Sequence, residues 1–226
     1  RYLRDPFQVT IKQKTMTAES IHQRAVFVGI PEKMEVLSRF LEMETTDGVI
    51  VFTKTKEATI TVAEYLVEQG YKATALNGDM PQKVRERAIQ QLKSGYLDIV
   101  VATDVAARGL DVPRISHVFN FDLPHDSESY IHRIGRTGRA GRPGNAIIFL
   151  TGGQRGKLRL IERATKQPIE VVDRPTAKQI NQRRVDRFKG RIRETIAAQD
   201  LKLFQVMVQE LVKETPEVSL EQIGAA

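Results

Sequence analysis

Between residues 21 and 150, short apolar runs alternate with longer amphipathic stretches, and this alternation constrains the fold more than any other feature. The apolar runs are β-rich and continuous, as is expected of strands that are covered on both faces. The stretches between them carry apolar side chains at helical spacing, for example Met34, Leu37 and Leu41. Strands that alternate with helices form βαβ units, so we predict an α/β fold: a mostly parallel sheet with helices on both faces. The predicted strands are 24–28, 49–52, 73–76, 98–102, 117–121 and 145–150.

The pattern changes after about residue 166. Residues 169–172 are extended between two prolines, and only helical spacing follows. We predict a helix over 176–199, a second helix capped by Asp200, and a third helix opened by a capping box of Ser219 and Gln222. This part of the chain is therefore predicted to be a small all-α domain.

These patterns divide the chain into three parts. We predict a linker and leading strand region over 1–20, an α/β domain over 21–165 and a helical domain over 166–226. The chain starts with Arg1 rather than Met and stops barely one turn into the third helix. We therefore expect a fragment of a longer protein, truncated at its C-terminus.

Composition narrows the class of protein. Hydrophobic residues make up 41% of the chain, which is enough for a core and excludes global disorder. The chain has no cysteine, which excludes disulfides, thiolate metal sites and cysteine nucleophiles and fits a cytoplasmic protein. No apolar run approaches the ~18 residues of a membrane span, so we expect no membrane association. The 35 basic and 28 acidic side chains leave a net charge of +7, which suits nucleic acid as a partner but serves solubility equally well.

Polar residues follow three neighbouring predicted strands directly. Residues 53–56, 77–79 and 103–104 bring hydroxyl, carboxylate, basic and glycine residues to the strand ends. In an open parallel sheet, ligands bind outside the carboxyl ends of the strands, so this edge is a candidate ligand site. The turns of an α/β protein are polar in any case, which is the alternative. The small residues 102–107, followed by Arg-Gly, are less easily explained as a generic turn.

The sharpest feature is an arginine and glycine run over residues 132–144. Four guanidinium groups cannot be buried without partners, so we exclude a role in the core. The planar, permanently charged fork of arginine suits phosphate oxygens, and glycine lets the backbone approach closely. We interpret the run as phosphate recognition, with a solvated surface cluster as the alternative. The arginines recur every three residues, as Arg133, Arg136, Arg139 and Arg142.

A phosphate-binding loop for ATP hydrolysis is missing from the chain. The nearest approach, over 152–158, is one residue short and has Leu158 in place of the hydroxyl that binds Mg²⁺, so we predict a basic turn there. The four histidines show no metal-ligand spacing, and we expect no metal held by this chain. No Ser-His-Asp or paired-carboxylate arrangement can be argued either. The chain thus has arginines that suit phosphate without a phosphate cradle, as half of a two-part enzyme would.

Four segments resemble, in order, the motifs of the second RecA-like domain of DEAD-box RNA helicases. Residues 49–56 (VIVFTKTK) resemble motif IV, and residues 76–85 (LNGDMPQKVR) resemble the G-D-x-x-Q-x-x-R element. Residues 102–111 (ATDVAARGLD) and 132–141 (HRIGRTGRAG) are similar to motifs V and VI. The resemblance covers about 21–151 and implies a RecA-like sheet. The helical tail resembles the bacterial cold-shock type of the family, in which a dimerisation region follows the helicase core.

For the nucleotide, the resemblance implies ATP with Mg²⁺, both held by an N-terminal RecA-like domain that this chain lacks. Arg136 and Arg139 would be the catalytic arginine fingers that reach the γ-phosphate from the second domain. Such fingers stabilise charge in the transition state and are worth about 10³–10⁵ in rate. Asp111 would bind the ATP ribose, and Gly109 would belong to the same cofactor site.

For RNA, the resemblance implies contacts to phosphates and sugars, which read shape rather than sequence. The implied RNA-binding residues are Thr55, Gly78, Gln82, Arg85 and Thr103, and those implied to couple the two domains are Arg108 and His132. The residues alone allow plainer roles: strand-end hydroxyls for the two threonines, an exposed helix face for Gln82 and Arg85, and a structural hydrogen bond for His132.

The resemblance therefore implies the C-terminal half of an ATP-dependent RNA helicase that separates short duplexes locally. It also implies roles in cold shock, ribosome biogenesis and RNA degradation, and the chain alone is expected to be inactive. A non-catalytic RNA-binding and dimerisation module is the alternative from another class. A DNA-directed helicase with the same type of domain is a third possibility.

The tail carries two further signals. Between residues 174 and 193 there are eight basic residues against Asp186 alone, which favours RNA contact, with a plain solvated face as the alternative. The apolar stripe of the second helix, which includes Phe204 and Leu211, is too large for two or three short helices to bury among themselves. It would either dock on the α/β domain or form a homodimer through residues 176–226, and the resemblance favours the homodimer.

Overall fold

The computed structural model describes residues 20–198, 201–215 and 217–225. The chain divides into two compact units after Thr176. Residues 1–19 of the linker predicted over 1–20, the capping residue Asp200 and Pro216 lie outside the described residues. None of the described helices is both long enough and apolar enough to cross a membrane.

The first unit is built on one sheet of seven strands, in which every pairing is parallel. The strands lie in the order β3-β4-β2-β5-β6-β1-β7, so the α/β prediction is confirmed. All six strands predicted from the apolar runs are present within three residues of their predicted bounds. The strands are β1 (Ile21–Phe27), β2 (Gly48–Phe52), β3 (Ala73–Leu76), β4 (Ile99–Ala102), β5 (Ile115–Asn120), β6 (Gly144–Leu150) and β7 (Glu170–Val171).

Helices cover both faces of this sheet. Val49 and Val51 pack towards the face that α1 and α2 cover, whereas Ile50 and Phe52 pack towards the face of α3, because successive side chains of a strand point to opposite faces. Helices α4 and α5 cover the same face as α3, at the part of the sheet formed by β1 and β6. The helices of this unit are α1 (Lys33–Met43), α2 (Lys56–Glu68), α3 (Gln82–Ser94), α4 (Ser127–Ile134) and α5 (Arg155–Thr165).

Two parts of the first unit differ from the sequence prediction. The basic turn predicted over 152–158 is a short 3₁₀ turn, Gly152–Gln154, that leads into helix α5, whose Leu158 and Ile161 are buried. Strand β7 pairs with β1 at the edge of the sheet, although both of its side chains are exposed. Residues 166–176 are therefore part of the sheet unit in the structure, whereas the sequence pattern had assigned them to the helical domain.

The second unit consists of helices α6 (Ala177–Ala198), α7 (Lys202–Glu214) and α8 (Leu220–Ala225). The predicted capping box is present: Ser219 N donates to Gln222 Oε1 at 2.8 Å, and Gln222 N donates to Ser219 Oγ at 3.2 Å. Helix α7 begins after Leu201, which makes no side-chain cap. Among the described residues of this unit, only Ile180 is buried.

Candidate functional site

The carboxyl edge of the sheet brings the predicted RNA residues together. Strands β3, β4 and β2 are neighbours in the sheet, and they lead into Gly78, Thr103 and Thr55 respectively. Gln82 and Arg85 lie in the first turn of α3, which follows the same edge. Five residues that are scattered over fifty positions of sequence are thus grouped by the parallel topology.

Both threonine hydroxyls of this group act as acceptors for local backbone amides. Thr55 is the N-cap of α2, and its Oγ1 accepts from Ala58 N at 3.1 Å. Thr103 Oγ1 lies 3.5 Å from Ala106 N in the turn after β4. Because a hydroxyl that accepts still has its own hydrogen, each threonine retains one donor for a ligand.

Gly78, Gln82 and Arg85 present different groups. Gly78 is exposed, and a Cβ at this position would meet nothing closer than Lys56 Cε at 3.9 Å, so the fold itself does not require a glycine here. Gln82 is exposed and donates to Glu86 Oε1 at 2.8 Å. Arg85 is half-buried.

The segment 103–111 after β4 connects this group with the predicted nucleotide residues. Arg85 Nη2 donates to the carbonyl of Arg108 at 2.9 Å. Gly109 has a φ of +72°, a left-handed conformation that glycine adopts without strain, and the residue after it is Leu110. Arg136 Nη1 donates to the Leu110 carbonyl at 2.9 Å. One short segment therefore touches both predicted sites.

Arg136 and Arg139 converge on this segment. Arg139 donates through Nη1 to the Leu110 carbonyl at 3.4 Å, pairs with the carboxylate of Asp111, and donates through Nε to the carbonyl of Gly135 at 2.8 Å. Partial burial lowers the pKa of Arg136, and repulsion from Arg139 lowers it further, with Asp111 opposing the shift. The two guanidinium groups thus form one concentrated positive centre, with Asp111 as its counter-ion.

Arg133 corrects the interpretation of the arginine run. It is 2% exposed, and its guanidinium binds the carboxylate of Asp104 through two hydrogen bonds of 2.6 and 2.8 Å. Its Nη1 donates to Asn120 Oδ1 at 3.1 Å and to the Asp122 carbonyl at 2.7 Å, and the group lies 5.0 Å from the Phe52 ring centroid. A core role for the run was excluded because unpaired guanidinium groups cannot be buried. Arg133 can be buried because its charge is paired with Asp104 and each of its three nitrogen atoms donates a hydrogen bond.

Arg142 and two of the glycines have other roles. Arg142 pairs with Asp47 at 3.2 Å at the amino edge of the sheet, opposite the predicted sites. Gly138 and Gly144 are packed so closely that a Cβ on Gly144 would lie 2.6 Å from Gly138 N. The run is therefore one buried arginine, two arginines beside Asp111 and one distant arginine, with two glycines fixed by backbone packing.

Arg108 and His132 are both exposed and line one shallow pocket. His132 Nε2 lies 4.0 Å from Glu128 Oε1, one helical turn away. The remaining residues of the pocket wall are Phe52, Asp104, Ala107, Ser129, Arg133 and Arg136. The pocket wall thus includes Asp104 and Arg133, the pair that links the turn after β4 to helix α4.

The partners of Arg133 are site residues that the sequence pattern does not reveal. Asp104, Asn120 and Asp122 follow or end the strands β4 and β5, and only Asp104 belongs to a predicted group of strand-end residues. A buried arginine in the last turn of α4 requires such acceptors, but nothing in the sequence marks Arg133 as the buried member of its run. Among the described residues, no three His, Asp or Glu side chains are grouped as a metal site would need.

Comparison with known protein families gives two matches. Residues 32–141 match the model of the helicase conserved C-terminal domain, and residues 175–226 match the RNA helicase DeaD dimerization domain. The whole chain is 48% identical to the ATP-dependent RNA helicase DeaD of Mycobacterium tuberculosis (strain ATCC 25618 / H37Rv) over 226 residues. The chain spans about two fifths of that relative, 40% of its length.

Two solved structures resemble this chain over about three quarters of its length. The E. coli DEAD-box protein SrmB, bound to regulator of ribonuclease activity A, is 37% identical with a TM-score of 0.64, over 71% of this chain and 93% of that one. S. cerevisiae Dbp5 bound to RNA and ADP BeF3 is 30% identical with a TM-score of 0.68, over 80% of this chain and 48% of that one. The RecA-like prediction for the sheet is confirmed by these matches.

Proposed function

The chain belongs to the DEAD-box RNA helicases, and we propose from this premise that it supplies the second half of an ATP-driven RNA-unwinding enzyme of the DeaD type. It comprises the helicase C-terminal domain and the DeaD dimerisation domain of that family. In the proposal, the whole protein would bind ATP and RNA between this domain and an N-terminal RecA-like domain. The observation that supports it best is the segment 103–111, which contains Thr103 and contacts both Arg85, through the Arg108 carbonyl, and the arginine pair, through Leu110 and Asp111.

The nucleotide half of the proposal rests on Arg136 and Arg139. Both guanidinium groups donate to the Leu110 carbonyl, and Arg139 also pairs with Asp111, so a triphosphate would replace Asp111 as the counter-ion of a pair that is already assembled. Two positive groups there would stabilise the charge that develops as the γ-phosphate leaves. Asp111 is exposed and would turn to a ribose hydroxyl when Arg139 moves to phosphate.

The chain fits ATP only in part. The arginine pair, Asp111 and the turn at Gly109 suit the sugar and the γ-phosphate. The described residues contain no carboxylate cluster for Mg²⁺ and no phosphate cradle. We therefore assign Mg²⁺ and most nucleotide contacts to the N-terminal domain, and we expect no hydrolysis by this chain alone.

The RNA half rests on the chemistry of the five residues at the carboxyl edge. Thr55 and Thr103 each retain a hydroxyl donor, Gln82 has an amide and Arg85 has a guanidinium, all of which suit phosphate and sugar oxygens. Gly78 is open, so its backbone could be approached closely by a phosphate. None of these groups would distinguish one base from another, as suits an enzyme that acts on many duplexes.

Coupling between the two halves would pass through two hydrogen-bonded connections. Thr103 is adjacent to Asp104, which holds Arg133 one turn of chain before Arg136. Arg85 contacts the Arg108 carbonyl, two residues before the carbonyl that holds Arg136. RNA bound at Thr103 and Arg85 would thereby favour one position of the arginine pair. Arg108 and His132, which line the pocket between these connections, would contact the N-terminal domain.

The second unit would join two copies of the protein. Its dimerisation-domain match spans 175–226, and its helices expose large apolar side chains that a monomer leaves in water. A two-fold interface would bury the same patch from both copies. The exposed apolar side chains of this unit include Phe188, Ile192, Ile196, Phe204, Met207 and Leu211.

The proposal is tested by ATP hydrolysis and duplex separation with the full-length protein. RNA should stimulate hydrolysis, DNA should stimulate it much less, and short duplexes should be separated only with ATP. Thr103→Val should weaken RNA binding and raise the RNA concentration needed for half-maximal stimulation, without changing the turnover at saturating RNA more than about threefold. Thr74→Val, a matched change inside β3, should alter neither. Turnover of ATP by the isolated chain would contradict the assignment of the missing half.

A further inference from the structure

Helix α5 carries a line of arginines that the proposed function does not use. Arg155, Arg159 and Arg163 recur every four residues, so they lie on one side of the helix, opposite the buried Leu158 and Ile161. All three are exposed, and Lys166 extends the line at the end of the helix. Residues 155–166 contain five basic side chains and one carboxylate, that of Glu162.

Most of these charges are not used to hold the fold together. Within the described part of the chain, the side chains of Arg159, Arg163 and Lys166 form no hydrogen bond or ion pair with other residues. Arg155 lies over the ring of Phe27, with 4.4 Å between the guanidinium carbon and the ring centroid. The one carboxylate nearby, Glu162, accepts instead from Ile169 N at 3.1 Å. Like charges four residues apart repel and weaken a helix, so the line is a cost to the fold that a ligand would offset.

The first residue of the arginine line lies near the carboxyl edge of the sheet, where the proposed RNA-binding residues are grouped. The helix starts directly after β6, at the same carboxyl edge from which Thr55, Gly78 and Thr103 project. In the sheet, β6 is two strands from β2, which corresponds to about 10 Å at the usual strand spacing. From this edge the line runs towards the amino edge, along the outside of the sheet unit. An RNA strand that extends from the carboxyl edge past the end of β5 would reach Arg155 before the other arginines of the line.

We propose that the α5 line is a second RNA-binding surface, which holds the sugar-phosphate backbone of RNA beyond the segment bound at the carboxyl edge. This inference rests on the proposed function and adds a place for the flanking RNA. The chemistry favours a phosphate backbone over an acidic protein, because the line is regular, has a single sign and includes few apolar groups that a protein interface would bury. Contacts to phosphate alone would make this surface indifferent to sequence.

The test compares the full-length protein with the double variant Arg159→Gln/Arg163→Gln. A matched control is Lys72→Gln/Lys93→Gln, which removes the same charge from exposed side chains at the amino edge of the same unit. Binding is measured by fluorescence anisotropy with oligouridylates of about 6 and about 25 nucleotides over a range of salt concentrations. RNA-stimulated ATP hydrolysis is measured with the short oligonucleotide.

We expect the α5 variant to bind the long RNA about tenfold more weakly at low salt, with the slope of log K against log salt reduced by about 1.4, as two lost phosphate contacts predict for a single strand. Its affinity for the short RNA, its ATP hydrolysis and its thermal midpoint should match the wild type. An equal loss on both RNAs, an equal loss in the control, or no loss at all would overturn the inference. Loss of binding to polyglutamate with RNA affinity intact would overturn it in favour of an acidic protein partner. Failure of short RNA to stimulate the wild type would instead contradict the proposed function.

Discussion

The sheet unit and the helical unit treat their apolar side chains in opposite ways. In the sheet unit, strands such as β2 are buried along their whole length by helices on both faces. In the helical unit, α7 has no fully buried described side chain, and Phe204 and Leu211 remain 59% and 44% exposed. The first unit can therefore hold charged groups at fixed positions, whereas the second would gain most of its apolar burial in the proposed homodimer. We expect changes in the first unit to alter chemistry or stability, and changes in the second to alter oligomeric state.

The largest effect is expected at the arginine pair of the sheet unit. Arg136→Ala in the full-length protein should lower RNA-stimulated ATP turnover by about 10³-fold or more, because a positive group beside the developing charge is lost. RNA affinity should change little. Arg142→Ala is the matched control, since it removes an arginine of the same run that pairs with Asp47 at the other edge of the sheet.

Turnover in the control should stay within about threefold of the wild type. Steady-state ATP hydrolysis and RNA anisotropy measure the two quantities. Equal losses of turnover in both variants would mean that the run acts as a diffuse positive surface. Weak RNA binding with normal turnover in Arg136→Ala would support the non-catalytic alternative.

The next largest effect is expected in the helical unit. Phe204→Glu/Leu211→Glu should weaken dimerisation by about 10²–10⁴-fold, because two large apolar side chains that a partner would bury become charged. Val206 is similarly exposed but lies on the opposite side of α7, so Val206→Glu is the matched control.

Sedimentation equilibrium of the chain measures the oligomeric state. We expect a dimer for the wild type and for Val206→Glu, and a monomer for the double variant. If the wild type is a monomer at tens of micromolar, the exposed apolar side chains of the helical unit are not buried by a second copy, and the predicted homodimer is wrong. Loss of the dimer in Val206→Glu alone would move the interface to the other side of the helix.

A third effect concerns the pairing that makes a buried arginine possible. Asp104→Ala should lower the free energy of unfolding by about 3–5 kcal/mol, because Arg133 would stay buried without its carboxylate. Asp111→Ala removes a carboxylate that also pairs with an arginine but is largely exposed, and it should cost no more than about 0.5 kcal/mol. Urea denaturation of the chain measures both. Similar values for the two variants would show that burial of Arg133 is not what makes its pair important.

The sequence predicted the sheet better than the site, for identifiable reasons. Continuous apolar runs predict buried strands, so β1 to β6 could be predicted. Residues 169–172 are also predicted to be extended, but their place in the sheet is not, because both side chains of β7 are exposed and the strand is held by backbone pairing with β1 and by the His22–Glu170 pair. Even spacing of the arginines suggested one common role. The structure separates them because α4 ends at Ile134 and the chain then turns through Gly138 and Gly141 at positive φ. The evenly spaced arginines therefore take three different positions: Arg133 is buried, Arg136 and Arg139 lie near Asp111, and Arg142 pairs with Asp47.

The smallest expected effect is a dependence of the stability of the sheet unit on pH. The described residues of the helical unit include no comparable buried carboxylate pair. Glu44 follows the last residue of α1, with its Oε1 2.6 Å from Arg24 Nη1 and its Oε2 3.5 Å from His117 Nε2. Burial would raise the pKa of Glu44, but the His117 and Arg24 groups outweigh it and lower the pKa to about 2. Because the folded pKa lies below the unfolded value, the stabilisation is complete above about pH 4.5 and is lost as the pH falls towards 2.

About 2 kcal/mol of unfolding free energy should therefore be lost between pH 7 and pH 3 through this one group. Glu44→Gln should remove that part of the pH dependence and be less stable than the wild type at pH 7. Glu35→Gln, which neutralises an exposed carboxylate on the same helix, should leave the profile unchanged. Urea denaturation across the pH range measures all three proteins. If Glu44→Gln keeps the wild-type profile, the acid sensitivity of the sheet unit lies elsewhere, and the buried pairs at its carboxyl edge become the groups to test, since there the same carboxylates also position the arginines.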